Sequence, residues 1–140
     1  MSGRFFVDTN IFLYMFDQAA PAKARQSISL IRQGLLTRKA VISFQVVQEF
    51  FSVAFRRLKP LMTQAEAEQF LTMTLRPLMA VRSSYGLYAK ALQLTGNNSL
   101  SWYDALIVAA ALEAECGILY TEDLQHGQKF SDLRVVNPFL

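Results

Sequence analysis

Phe5-Phe6-Val7-Asp8-Thr9-Asn10 sets a short apolar run directly against a carboxylate and two polar residues. The run, taken as Arg4 to Val7, is too short for a helix and shows no polar alternation. It therefore reads as a strand buried on both faces. Three further runs follow the same pattern: Ala40 to Ser43, Gly117 to Thr121 and Leu133 to Asn137. Helical stretches fill the intervals. Pro21 opens one reaching Leu36, with proline at the first helical position. A second runs from Phe44 to Lys59 and stops at Pro60. Thr63 and Glu66 form a capping box for a third, reaching Pro77. A fourth covers Ser84 to Thr95 and ends at the turn cluster Gly96-Asn97-Asn98. Ser101 and Asp104 form another box before the helix Ala105 to Cys116, with Gly117 as its stop.

Strands alternating with helices imply parallel pairing, with helices on both faces of the sheet. The expected fold is α/β: a three-layer α/β/α sandwich around a short parallel sheet, as a single domain over residues 1–140. The composition agrees. At 52% hydrophobic and 18% charged residues, the chain is too apolar for a disordered segment. Its longest apolar run, Ala105 to Leu112, falls far short of the ~18 residues of a membrane span. No signal-peptide core precedes Asp8, so a cytoplasmic setting is expected. Cys116 has no partner for an internal disulfide, and at the end of an apolar helix it is expected to be buried. The single histidine, His126, excludes a two-histidine ribonuclease mechanism and a His-rich zinc site; its loop is expected to be exposed and non-catalytic. No Gly-rich phosphate loop is present.

In open parallel sheets ligands bind beyond the carboxyl ends of the strands. Asp8 ends the first strand, Glu49 lies one or two turns into the helix after the second, and Glu122-Asp123 follows the third. Asp104 belongs at the same edge, because its helix runs antiparallel to the strand it precedes. Each acid has an ordinary role open to it. Asp8 and Asp104 can serve helix caps, Glu49 can be solvated and Asp123 can sit in a turn. Those roles leave their shared location unexplained, since four converging carboxylates repel unless something cationic joins them. With four acids drawn into one site, fourteen Lys and Arg face seven remaining carboxylates, leaving a body of +7 on a chain of net +3. An acidic pocket on a basic body suits a polyanion held through metal ions.

Val7-Asp8-Thr9-Asn10-Ile11 resembles the opening motif of PIN-domain nucleases. Ser101-Trp102-Tyr103-Asp104-Ala105-Leu106-Ile107-Val108-Ala109-Ala110-Ala111 is similar to their third motif, and Leu119-Tyr120-Thr121-Glu122-Asp123 to the fourth. Glu49, followed by Phe50, fits the second acid. The size and the closing Val136-Asn137-Pro138-Phe139 resemble small VapC-type toxins. The resemblance implies an acidic pocket holding Mg²⁺ or Mn²⁺, endonucleolytic cleavage of RNA, a homodimer, and a small antitoxin protein as partner. It implies Asp8, Glu49 and Asp104 as the core acids. Asp123 is the choice for the fourth, two residues after Thr121, with Glu122 an open alternative. Asn10, Ser101, Thr121 and Glu122 are the implied polar supports. Hard cations take oxygen ligands and activate water, so the implied products are a 5′-phosphate and a 3′-hydroxyl.

Arg56-Arg57-Leu58-Lys59 either complements a helix C-terminus or tracks phosphates together with Arg38 and Lys39. The apolar segments Phe12 to Phe16 and Phe70 to Met79 read as core, with part of them available for a dimer face or antitoxin groove. The competing functions are an acid-cluster phosphatase and a non-catalytic RNA-binding or scaffold module. The first wants a second Asp where Asn10 stands, and the second has no need of all four acids.

Overall fold

Phe5–Val7 forms β1, an interior strand of a six-stranded sheet in a computed structural model that describes residues 3–140. Met1 and Ser2, part of the expected domain and N-terminal reading, lie outside the described residues. All three β1 residues are buried, as a doubly covered strand requires. β2 (Ala40–Ser43) and β4 (Ile118–Tyr120) flank β1, both parallel to it. β6 (Leu133–Val136) continues the parallel set beside β4.

Two strands were not expected from the sequence. β3 (Met79–Val81) pairs parallel with β2, and β5 (Lys129–Phe130) pairs antiparallel with β6, giving the order β3-β2-β1-β4-β6-β5. The sheet is therefore mostly parallel, with one antiparallel edge. Neither segment carries a local strand signal. β3 becomes a strand by pairing with Ile42 and Ser43, and β5 by a tight hairpin through Ser131, whose φ is 56°.

The helices are α1 (Thr9–Tyr14), α2 (Pro21–Thr37), α3 (Phe44–Arg56), α4 (Gln64–Phe70), α5 (Tyr85–Asn98) and α6 (Trp102–Glu113). Their starts follow the capping chemistry of the sequence: Pro21 opens α2, and the Thr63–Glu66 box forms in both directions at α4. Their ends depart from it. α3 stops at Arg56 rather than Lys59, and Leu58 stands fully exposed. The helix expected to reach Pro77 ends at Phe70, followed by a π-helical turn over Leu71–Leu75 and a 3-10 turn over Arg76–Leu78. Pro77 has no N–H to continue an α-helical ladder. α5 runs through Gly96 to Asn98, and Ser99 supplies the left-handed residue at φ 54°. At the end of α6 Glu115, not Gly117, takes that conformation, while the Gly117 N–H already bonds Arg4 O beside β1.

α6 explains its own composition. Ala105 to Ala111 are all buried, so it is apolar all round and packs against β2, β4 and α5. Its small side chains permit close approach. On α2 the same economy is absolute at Gly34, where an added Cβ would sit 2.3 Å from that of Ala40 on β2. Cys116 is buried as expected, with its thiol pushed up to about 12 by desolvation. Among the described residues no helix is long and apolar enough to cross a membrane.

Candidate active site

β1 ends by delivering Asp8 to the carboxyl edge of the sheet, where it also caps α1. Its N–H bonds Tyr120 O, and one carboxylate oxygen accepts the Thr9 N–H at 2.7 Å. The other accepts the Thr121 hydroxyl at 2.8 Å. The ordinary capping role and a site role are thus not exclusive, because a carboxylate has acceptor capacity for about four bonds and two are used. Burial pushes the Asp8 carboxyl up to about 7; the Thr121 and Thr9 bonds oppose this, and the charges of Asp123 and Glu49 add to it.

Glu49 comes from α3 and is half-buried. It is not simply solvated: one oxygen accepts the Thr9 hydroxyl at 2.6 Å and the other the Gln45 amide at 3.3 Å. Asp104 enters from the first turn of α6, where Ser101 Oγ accepts its N–H at 3.2 Å. Asp123 follows β4, with both oxygens accepting the Asn10 amide at 3.3 Å and its N–H bonding Thr121 Oγ1 at 3.1 Å. Its carboxyl is raised by burial, then by the charges of Asp104, Glu122 and Glu49.

Asp8, Glu49, Asp104 and Asp123, with Asn10, line one cleft of about 560 Å³. The chain thus brings together acids from four elements separated by up to 115 positions. Thr121 joins two of them, donating to Asp8 while accepting from the backbone of Asp123. Ser101 stays behind its cap and supports Asp104 through the backbone alone.

Glu122 is placed differently. It accepts the Tyr14 hydroxyl and forms an ion pair with Lys23 at 3.1 Å, and that ammonium also sits over the Tyr14 ring. This contact raises the Tyr14 hydroxyl and the Lys23 ammonium above their ordinary values. Glu122 does not line the cleft, whereas Asp123 does.

The basic candidates separate as well. Arg56 lines the acidic cleft. Arg57 and Lys59 lie beyond the end of α3, and Arg38 and Lys39 precede β2, at the amino edge of the sheet and away from the acids. Arg38, Lys39, Arg57 and Lys59 do not line the acidic cleft. His126 accepts the Asn137 N–H through Nδ1 at 3.0 Å and is absent from the cleft lining. Gln45, Gln48 and Tyr103 do line the cleft and were not singled out by sequence. Polar residues one turn from Glu49 and beside Asp104 were the available signal.

Among the described residues no three Asp, Glu, His or Cys side chains are drawn together tightly enough to hold an ion as they stand. The donor set nevertheless fits a hard divalent cation. All four acids offer oxygen, Arg56 is the only cationic side chain lining their cleft among the described residues, and burial together with mutual charge raises Asp123.

This fold and acidic edge define a class: the chain belongs to the PIN domain family, whose model matches residues 5–130. Among solved structures it is similar to a toxin-antitoxin complex from Klebsiella pneumoniae, at 21% identity and TM-score 0.66, covering 95% of this chain and 96% of that one. It is also similar to FitAB bound to an IR36 DNA fragment, at 18% identity and TM-score 0.71, with 97% and 96% covered. Mycobacterium tuberculosis VapC20, described as a sarcin-ricin loop cleaving toxin, matches at 18% identity and TM-score 0.60, with 93% and 98% covered. At these identities the likeness is one of fold. No curated protein matches the chain in sequence.

Proposed function

We propose that this protein is a divalent-metal-dependent endoribonuclease, the toxin of a toxin–antitoxin pair, with Asp8, Glu49, Asp104 and Asp123 as its catalytic, metal-holding acids. The observation that carries the reading is the gathering of these four carboxylates on one cleft at the strand ends, with Asp8 buried and its carboxyl raised to about 7. A structural role alone gives no reason to keep like charges together there. The PIN family and the toxin–antitoxin neighbours support the same activity.

Asp8, Glu49, Asp104 and Asp123 would hold a Mg²⁺ or Mn²⁺ ion, which when bound would supply positive charge against the scissile phosphate and make water a better nucleophile at neutral pH. The side chains of the protein do the rest. Thr9 and Thr121 fix the orientation of Asp8, and Thr9 with Gln45 fixes Glu49. Asp123 is the most exposed of the four, and Asn10 steers it toward the cleft. From the exposed side of the cleft it is placed to orient the attacking water. Arg56, at the same cleft, is placed to hold substrate phosphate. Attack by water rather than by the ribose 2′-hydroxyl leaves a 5′-phosphate and a 3′-hydroxyl.

The partner assignments rest on exposed apolar surface. Phe51, Phe55, Ala67 and Leu71 line a hollow of about 430 Å³, and Phe16, Leu61, Met62, Phe70 and Met73 line another of about 320 Å³. Leu71 and Met73 belong to the Phe70–Met79 segment, whose Leu75 and Leu78 are core as expected. Such surface suits a homodimer contact and an antitoxin segment.

The test is cleavage of a mixed-sequence, 5′-labelled RNA with Mn²⁺ or Mg²⁺ and with EDTA, beside Asp8→Asn. Cleavage that needs metal and falls by roughly 100-fold or more in Asp8→Asn is expected. Cleavage that persists in EDTA overturns the metal mechanism. No cleavage by metal-loaded, partner-free protein overturns the nuclease.

A further inference from the structure

A second hollow, of about 230 Å³, opens beside the acidic cleft and shares Gln45, Gln48 and Tyr103 with it. Building on the nuclease reading, we propose that this hollow is a subsite for one unpaired nucleobase of single-stranded RNA, stacked on Tyr88 and Trp102 next to the cleaved linkage.

Size comes first. The hollow is smaller than the roughly 300 Å³ at which pockets begin to accept drug-sized ligands, so it suits a single ring system. Its walls are aromatic and wet. Trp102 is 37% exposed, Tyr88 43% and Tyr103 63%, an expensive arrangement unless the rings meet something flat. Tyr88 and Trp102 stand 6.0 Å apart at 46°, so they do not stack on one another and their faces remain available. Bases stack on such side chains whatever their identity.

The polar wall favours a base over an apolar side chain. Ser43, only 2% exposed, lines the hollow, and its hydroxyl has no hydrogen-bond partner. A buried hydroxyl left unsatisfied is costly, and the donors and acceptors on a base edge would satisfy it. Gln45 and Gln48 add amide groups at the side facing the acids. Gln45 also ties the two spaces together, donating to Tyr103 O at 3.4 Å and to Glu49 at 3.3 Å. A base held here therefore places its own phosphate at the acidic cleft.

Trp102 is the chain's single tryptophan, so its emission reports the hollow directly. The full chain in EDTA is titrated with labelled single-stranded hexamers of each base, reading indole quenching and label anisotropy together. Metal-dependent cleavage of the same RNAs is assayed in parallel. Quenching is expected to saturate with anisotropy. Tyr88→Leu should weaken binding roughly 10-fold, and Ser43→Ala should change the ranking of the four bases. Tyr85→Leu, exposed and outside the hollow, should change neither. RNA that is bound or cleaved without quenching, or that binds Tyr88→Leu undiminished, overturns the subsite alone. An emission shift produced by diluting the protein without RNA overturns it too, by showing that a second copy occupies the hollow. Quenching by RNA that metal-loaded protein never cleaves keeps the subsite and overturns the nuclease. RNA that neither binds nor is cleaved overturns both.

Discussion

Glu122 and Asp123 are neighbours in sequence and occupy opposite electrostatic worlds. Glu122 is satisfied within the protein, with Lys23 against one oxygen and Tyr14 against the other. Asp123 has a neutral amide from Asn10; burial and then the charges of Asp104, Glu122 and Glu49 raise its proton affinity, and Asp8, Glu49 and Asp104 share its cleft. The first arrangement is complete and asks for no ligand. In the second, negative charge accumulates beyond what the protein compensates, as a cation-dependent site requires. That difference is the reason Asp123, and not Glu122, is proposed as the fourth acid of the site.

The comparison breaks most visibly in activity. Asp123→Asn is expected to lower metal-dependent RNA cleavage by roughly 100-fold, whereas Glu122→Gln should leave it within about 2-fold. Equal losses in single-turnover assays would remove the distinction.

The next effect is on stability. The Asp8 carboxyl is raised from 3.8 to about 7, so the folded state binds the proton more tightly than the unfolded chain. The contribution of this group is fully present below about pH 4 and is lost as pH rises to about 7. Asp8→Asn removes that loss. In EDTA the variant should be more stable than the parent by up to roughly 4 kcal/mol at pH 8, with the gain vanishing near pH 4. Urea melts at the two pH values measure it, and a gain independent of pH contradicts the burial argument.

Thr121→Val keeps shape and removes the hydroxyl that holds Asp8 and the Asp123 backbone. A cost of about 1 kcal/mol in stability and a roughly 10-fold loss of cleavage are expected. Smallest is Lys23→Met. A partly exposed single pair contributes little, so its melting temperature should stay within about 3 °C of the parent and its activity should be unchanged.

Much of this was legible along the chain. Four parallel strands, the helix starts and the edge of the sheet that carries the acids follow from apolar runs, caps and the handedness of parallel crossovers, although Arg134 on β6 is exposed. Each of those signals is local. β3 and β5 were not legible, because Met79–Val81 and Lys129–Phe130 are strands only by virtue of the neighbours they pair with. Helix ends were read less well than starts. A capping side chain announces a start, whereas Ser99 and Glu115 adopt left-handed backbone without being glycine. Which of the basic candidates lines the acidic cleft was not legible either, since a shared charge says nothing about which end of a strand a residue occupies.

Sequence by itself determined the class of fold and the candidate acids, since the period of apolar residues and the position of a carboxylate after a strand are properties of the chain. Only the tertiary structure gave Glu122 and Asp123, which share a turn, different surroundings, by placing Lys23 and Tyr14 beside one and Asn10 beside the other. It alone set the Trp102 hollow against the acidic cleft, through contacts between segments tens of residues apart. Local preference fixes what a segment becomes, and packing fixes which charges meet.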